Sequence, residues 1–264
     1  MRRGADMVPT ARCRWMLGMA CLAGVVLMAG CREIQDAGKE LGLIDANEAP
    51  AAEPEARTLD GYWLPGVIDV AGESQAEWTI RWWQWAGRFP TGERPFEARD
   101  GSQCGLHQDG PVWFLAGTDG RFDAVRKCRV PADKYLLVPV INWLEGEQPP
   151  PGSPDGRRSC DDMQRIAAEA ADHVMSGLVL IDGRPLGELA RMRVASGGCF
   201  AGGPGQPGPA ASDGYWLMLK PLPPGSYQLA IAAGYRHGPR EMMQNFRYEL
   251  EVEEVPGSVA VEAE

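Results

Sequence analysis

The residues with the chemistry to form a site are few and far apart. In Cys104-Gly-Leu-His107-Gln108-Asp109 an imidazole lies two residues from a carboxylate, a pair able to take up and return a proton. The same composition is that of a polar surface turn, and a turn is the expected reading. His173 borders the exposed face of a helix, and His237 has no partner of matching spacing. No Gly-x-Ser-x-Gly elbow, P-loop or dinucleotide fingerprint occurs, and the Gly-rich stretch 197–208 lacks both a Lys and a following helix. Cys-x-x-Cys and paired-His spacings are also missing, so neither a metal nor a cofactor is expected. A glycosidase-type carboxylate pair comes together only in space, and among so many acids the sequence cannot select one. The inventory favours a non-enzymatic protein over an envelope hydrolase.

Indoles are the more unusual feature. Trp82-Trp83-Gln84-Trp85, Gly110-Pro-Val-Trp113-Phe and Ser212-Asp-Gly-Tyr-Trp216 each place them beside hydrogen-bonding groups. A flat exposed indole can hold the apolar face of a sugar, which makes Trp113 and Trp216 candidate glycan contacts. Helical spacing puts most of the others on apolar stripes, so core packing is the expectation for the group.

The N-terminal residues give an address. Arg2, Arg3, Arg12 and Arg14 precede an uncharged apolar run from Trp15 to Met28, then Ala29, Gly30 and Cys31. That run is too short to cross a bilayer, which takes about 20 residues. Leu27-Met-Ala-Gly-Cys31 resembles a lipobox, in which the Cys becomes the acylated first residue. The expectation is a lipoprotein signal at 1–30, lipidation of Cys31 and a membrane anchor; an ordinary secretory signal or an uncleaved anchor are the alternatives. Arg32, where an Asp would favour inner-membrane retention, points to the outer membrane facing the periplasm. Residues 31–57, rich in Ala, Pro and Glu, read as a flexible acidic tether, and 58–264 as a single globular domain.

Removing 1–30 takes four Arg and one Asp from 26 basic and 36 acidic residues, leaving 22 and 35, a balance of −13. So acidic a domain is not expected to bind nucleic acid. Of seven Cys, Cys13 and Cys21 leave with the signal and Cys31 takes the lipid. Cys104, Cys128, Cys160 and Cys199 remain, an even number as disulfides in an oxidising compartment require. Three pairings exist, and the sequential one, Cys104–Cys128 with Cys160–Cys199, is expected.

Two helices must help to position these residues. Ser74-Gln-Ala-Glu77 is a capping-box pattern opening a helix to about Gly87, with Glu77, Arg81, Gln84 and Arg88 on one face. A second runs from Ser159 to about Val174, apolar along Met163, Ile166, Ala167, Ala170 and Val174. Residues 111–116 and 135–141 are continuous apolar runs, read as strands covered on both faces. Alternation at Tyr227, Leu229 and Ile231, and from Phe246 to Val252, reads as strands wetted on one face; 146–158 and 202–209 read as loops. The fold class expected is mainly β (α+β), an antiparallel β-sandwich of jelly-roll or Ig-like type with two packed helices.

Together, Trp82-Trp-Gln-Trp85, the stretch from Cys104 to Gly117, Cys128-Arg-Val-Pro131 to Asn142, and Ser212-Asp-Gly-Tyr-Trp216 with Lys220-Pro-Leu resemble an uncharacterised family of exported prokaryotic proteins. The resemblance covers most of 76–255. It implies a shared exported fold and supplies no activity. Its polar positions are Gln84, Gln108, Lys134, Asn142, Asp213 and Lys220, candidate ligand-binding residues that otherwise satisfy buried backbone groups. The functional expectation is an envelope-anchored binding or accessory lipoprotein, its partner a glycan or peptidoglycan. The alternative is a periplasmic protein partner, in a structural or toxin-neutralising role.

Overall fold

Alternation of side chains decides most of the strand geometry. In the last strand, Phe246, Tyr248, Leu250 and Val252 are buried, while Arg247, Glu251 and Glu253 face water. The computed structural model describes residues 59–148, 156–205, 208–237 and 240–255, which belong to the unit Thr58–Glu264. The expectations for 1–30, Cys31 and the tether 31–57 lie outside the described residues, as do 149–155 and 206–207 of the two loops.

Among the described residues ten strands form two sheets. The first joins β1 (Trp63–Leu64), β8 (Ala210–Leu219), β4 (Tyr135–Gly146) and β2 (Val112–Phe114) in that order, with β7 (Arg193–Ala195) also on β8. The second runs β3 (Ala124–Pro131), β10 (Arg240–Glu253), β9 (Gly225–His237), β5 (Val174–Ile181) and β6 (Arg184–Pro185). The mainly β, α+β reading holds, but the wholly antiparallel one is corrected. β2 pairs β4 in parallel, and β3 pairs β10 in parallel over eight registered positions from Ala124 to Pro131. Strand direction leaves no trace in an alternation of period two, which is the same for both pairings. Each parallel pair is separated by enough chain to cross over, as parallel pairing requires.

Both helices form where their caps stand. Ser74 accepts a 3.3 Å bond from the Glu77 backbone N–H at the start of α1, Gln75–Gly87. Ser159 and Asp162 make a reciprocal capping box on α2, Cys160–Asp172. That helix stops short of Val174, which is already the first residue of β5.

Side chains of the two sheets meet in one core, including Leu136, Val138, Leu217, Leu229, Ile231 and Leu250. The opposite face of the first sheet is covered by α1, whose Trp78, Trp82, Trp83 and Trp85 pack with Phe114, Val194, Trp216 and Met218. Helix α2 lies against β8 and β4. Arg193 ties it there, donating to Asp213 of β8 at 2.9 Å and to Asp172 of the helix at 2.5 Å. Those hydrogen bonds, Asp213 first, hold the guanidinium charged well beyond its ordinary range.

The sequential disulfides form, Cys104–Cys128 and Cys160–Cys199, at separations of 24 and 39 residues. Loops of this length give roughly 3–4 kcal/mol each in the chain-entropy model. A Cys160→Ser, Cys199→Ser variant is expected to lose about that much in urea unfolding, because the start of α2 is then released from the loop after β7. An unchanged midpoint would show that α2 is held by packing alone.

Candidate functional site

Helix α1 and the loop after Cys104 enclose a cleft of about 300 Å³, with Trp78, Trp85 and Phe114 at its base. Arg81, Gln84, Arg88, His107 and Asp109 form its polar rim. The rim residues of α1 repeat at helical spacing, as Arg81, Gln84 and Arg88 must to share one face.

The facing loop is fixed from several directions. Cys104 is bonded to Cys128, and Trp85 Nε1 donates to the Leu106 carbonyl at 2.9 Å. Gln108 works from inside: its Nε2 donates to the carbonyls of Cys104 and Phe114, each at 2.8 Å, and its Oε1 accepts from Phe114 N–H at 2.9 Å. Arg88 Nη1 donates to Asp109 at 2.5 Å and to the His107 carbonyl at 3.3 Å. His107 has φ 55°, the left-handed region that a non-Gly residue occupies only when its surroundings insist. Its ring meets Phe89 edge to face at 5.0 Å. The His107/Asp109 pair is thus a structured turn, its carboxylate engaged by Arg88. Arg81 lies 4.6 Å from the Trp78 ring centroid and pairs with Glu73 and Glu77. The rim therefore offers guanidinium, amide and carboxylate groups on a rigid frame.

The residues singled out from the sequence fall in three places. Gln84 is on the rim of this cleft, bonded to the Ala201 carbonyl at 3.1 Å, and Gln108 does not line it but braces Phe114, which does. Asn142 and Asp213 neighbour each other on β4 and β8, where Asn142 is paired with Gly214 and Trp143 with Asp213. A Cβ on Gly214 would stand 2.5 Å from the Asn142 Cα, so the glycine of that motif serves close strand approach. Asp213 is buried and spent on Arg193. Lys134 and Lys220 flank the paired residues Leu136 and Leu219 at one end of β4 and β8, with Lys134 3.3 Å from Asp133 and Lys220 exposed.

The candidate glycan contact Trp216 is corrected. At 1% exposure it has no face to offer, since Trp82 and Trp83 pack against it. Trp113 is half-buried and packs against the inter-sheet core. Sequence reasoning placed Arg81 and Arg88 on the Gln84 face without nominating them, although their spacing was the available signal. Nothing local marked Arg193, whose partners are about twenty residues away.

A larger, open hollow of about 1120 Å³ lies on the second sheet, lined by Lys127, Arg129, Asp182, Gln228, Glu249 and Glu251 among others. Its polar groups already answer one another, Lys127 pairing with Glu249 at 3.4 Å and the Ser226 hydroxyl donating to Glu251 at 2.6 Å. The cleft on α1 is the better candidate because it is narrower, has an aromatic base and is framed by a disulfide and a ring of side-chain hydrogen bonds.

In the inter-sheet core, Tyr248 is fully buried; its hydroxyl accepts from Ala116 N–H at 3.0 Å and from Arg126 at 3.3 Å. Burial pushes its phenol up, and Arg126 pulls less strongly the other way. Its protonated form therefore stabilises the fold fully below the unfolded value near pH 10, and this is lost as pH rises from there through the folded value. Stability measured by urea unfolding should fall more steeply above pH 10 in the native sequence than in Tyr248→Phe. Parallel slopes would remove Tyr248 as the cause.

Compared with known proteins, the chain matches no family model, no curated protein and no solved structure. Among the described residues no helix is long and apolar enough to cross a membrane, and no cluster of three metal-ligating side chains occurs.

Proposed function

We propose that this chain is an envelope lipoprotein, lipidated at Cys31 after loss of 1–30, whose domain 58–264 is a non-enzymatic binding module. The N-terminal pattern supports the anchor, and Arg32 supports the outer membrane facing the periplasm. The two sheets with their shared core are read as a β-sandwich carrying the helices.

The observation that carries the binding reading is the rigid cleft, in which a non-Gly residue is kept left-handed so that polar groups converge above an aromatic base. Its volume sits at the lower end of small-ligand sites, about 300–1,000 Å³. The ligand is an envelope glycan or peptidoglycan fragment, gripped by hydrogen bonds donated by Arg81, Gln84 and Arg88 and accepted by Asp109, and not by indole stacking.

Thermal-shift titration with peptidoglycan fragments and envelope oligosaccharides tests this. A ligand at 100 times its Kd adds about 2.7 kcal/mol, a shift of several degrees for a domain of this size. Gln84→Ala and Arg88→Ala should each erase the shift while moving the ligand-free midpoint little, both side chains being exposed. A shift that survives both changes, or none with any fragment, would end the proposal. The exposed Met175, Leu178 and Met243 favour a second reading, a protein partner at the other sheet.

A further inference from the structure

Two arginines of this chain hold an aspartate through the same corner, and they differ at the second edge of the guanidinium. Arg193 donates to Asp172 through Nη1 at 2.5 Å. Its other edge grips Asp213 side-on, Nε to one carboxylate oxygen at 3.2 Å and Nη2 to the other at 2.9 Å. Arg88 likewise donates through Nη1 to Asp109 at 2.5 Å, and through the same nitrogen to the His107 carbonyl at 3.3 Å. Its Nε and Nη2 have no partner among the described residues. The side chain lines the cleft and is 50% exposed, so a ligand can reach that edge.

We propose that the cleft takes an acidic glycan fragment, one whose sugar carries a carboxylate that the Nε–Nη2 edge of Arg88 receives as a bidentate pair. This rests on the glycan reading of the cleft and narrows its ligand class. Two parallel N–H donors in one plane match the two oxygens of a carboxylate, and such a pair is roughly twice as strong as neutral hydrogen bonds. Arg193 with Asp213 shows that match within the same chain. The edge is also set before a ligand arrives. Nη1 is tied to two acceptors on the loop after Cys104, and that loop is held by its disulfide and by Trp85. Little freedom of the guanidinium is left to lose on binding. Arg81 and Gln84 remain for the sugar hydroxyls.

Charge favours a carboxylate over a phosphate. Arg81 and Arg88 stand against Glu73, Glu77 and Asp109, which pair with them. The rim thus has no surplus of positive charge to draw in a polyanion, and the chain as a whole carries −10. A phosphate dianion on Arg88 would also face Asp109 across one guanidinium. A carboxylate brings a single charge and meets its partner in direct contact, the arrangement that Arg193 already sustains between two aspartates.

Calorimetric titration of the detergent-extracted full-length chain tests this with two matched pairs of probes. One pair is the disaccharide of N-acetylglucosamine and N-acetylmuramic acid and its methyl ester; the other is digalacturonate and its methyl ester. In at least one pair the acid should bind about ten-fold or more tightly than the ester, the size of one charge-assisted pair. The pair that shows it identifies the sugar. Arg88→Lys keeps the charge but loses the two-donor edge, and should bring the ratio of acid to ester within about three-fold. The ratio compares two ligands on one variant, so a disturbed loop, which weakens both, does not mimic this result. Equal affinity for acid and ester in both pairs overturns the proposal and leaves the glycan reading standing. A ratio that Arg88→Lys does not change overturns it as well, since the carboxylate is then held elsewhere. If neither acid nor ester binds in either pair, the glycan reading falls and this inference falls with it.

Discussion

Trp216→Ala is expected to destabilise the domain by about 3–5 kcal/mol, as large-to-small changes of core aromatics do. Its ring is 1% exposed, 5.3 Å from Trp82 and 6.3 Å from Trp83, edge to face in both contacts. Truncation opens a cavity between β8 and α1, and α1 supplies half of the cleft rim. The loss should register in urea unfolding and in near-ultraviolet circular dichroism, with cleft binding lost only as the fold is lost. Arg88→Ala, at the exposed rim, should leave stability within about 0.5–1 kcal/mol. If Trp216→Ala instead kept its midpoint and abolished glycan binding, the indole would be a ligand platform and the core assignment would be wrong.

The second large effect is predicted at Arg126, 1% exposed on β3. It donates to the Ala98 carbonyl through both Nε at 3.0 Å and Nη2 at 2.6 Å, and to the Ala116 and Gly117 carbonyls at 2.8 Å each. Removing the guanidinium takes the donor from the Ala98 and Gly117 carbonyls, at about 1–3 kcal/mol for each one left buried and unsatisfied, while the Ala116 carbonyl keeps the Tyr248 hydroxyl at 3.0 Å. Arg126→Met retains the stem and should still cost about 3–5 kcal/mol. Faster amide exchange at 96–101 and 115–118 should accompany it, since those segments lose their common tie. A loss below about 1 kcal/mol would mean that water replaces the guanidinium at no great penalty.

These two residues also show what the sequence discloses. Helix α1 was readable because Ser74 caps it and its apolar positions keep a helical period; α2 was readable from Ser159 and Asp162 for the same reason. β10 was readable because Phe246 to Val252 alternate cleanly with charges. β3 was not. Its inward positions are Ala124, Arg126, Cys128 and Val130, so a buried arginine breaks the pattern that would have named the strand. At the cleft, the face holding Gln84 was legible from spacing alone. The loop opposite was not, because Gln108 acts through backbone groups that only folding brings within reach. Direction of pairing was equally hidden, since parallel and antiparallel neighbours ask for the same residues.

The parallel join of β3 to β10 has a bearing on how the protein is made. β10 lies between β3 and β9, and the order of that sheet gives β3 no other neighbour. A nascent chain that has emerged only as far as His237 thus holds β3 with an unpaired edge and the inter-sheet core without Phe246, Tyr248, Leu250 and Val252. Contacts this distant along the sequence close slowly. Closure of the second sheet, and of the inter-sheet core with it, therefore waits for β10, and any chain that folds ahead of it keeps the β3 edge open to wrong partners.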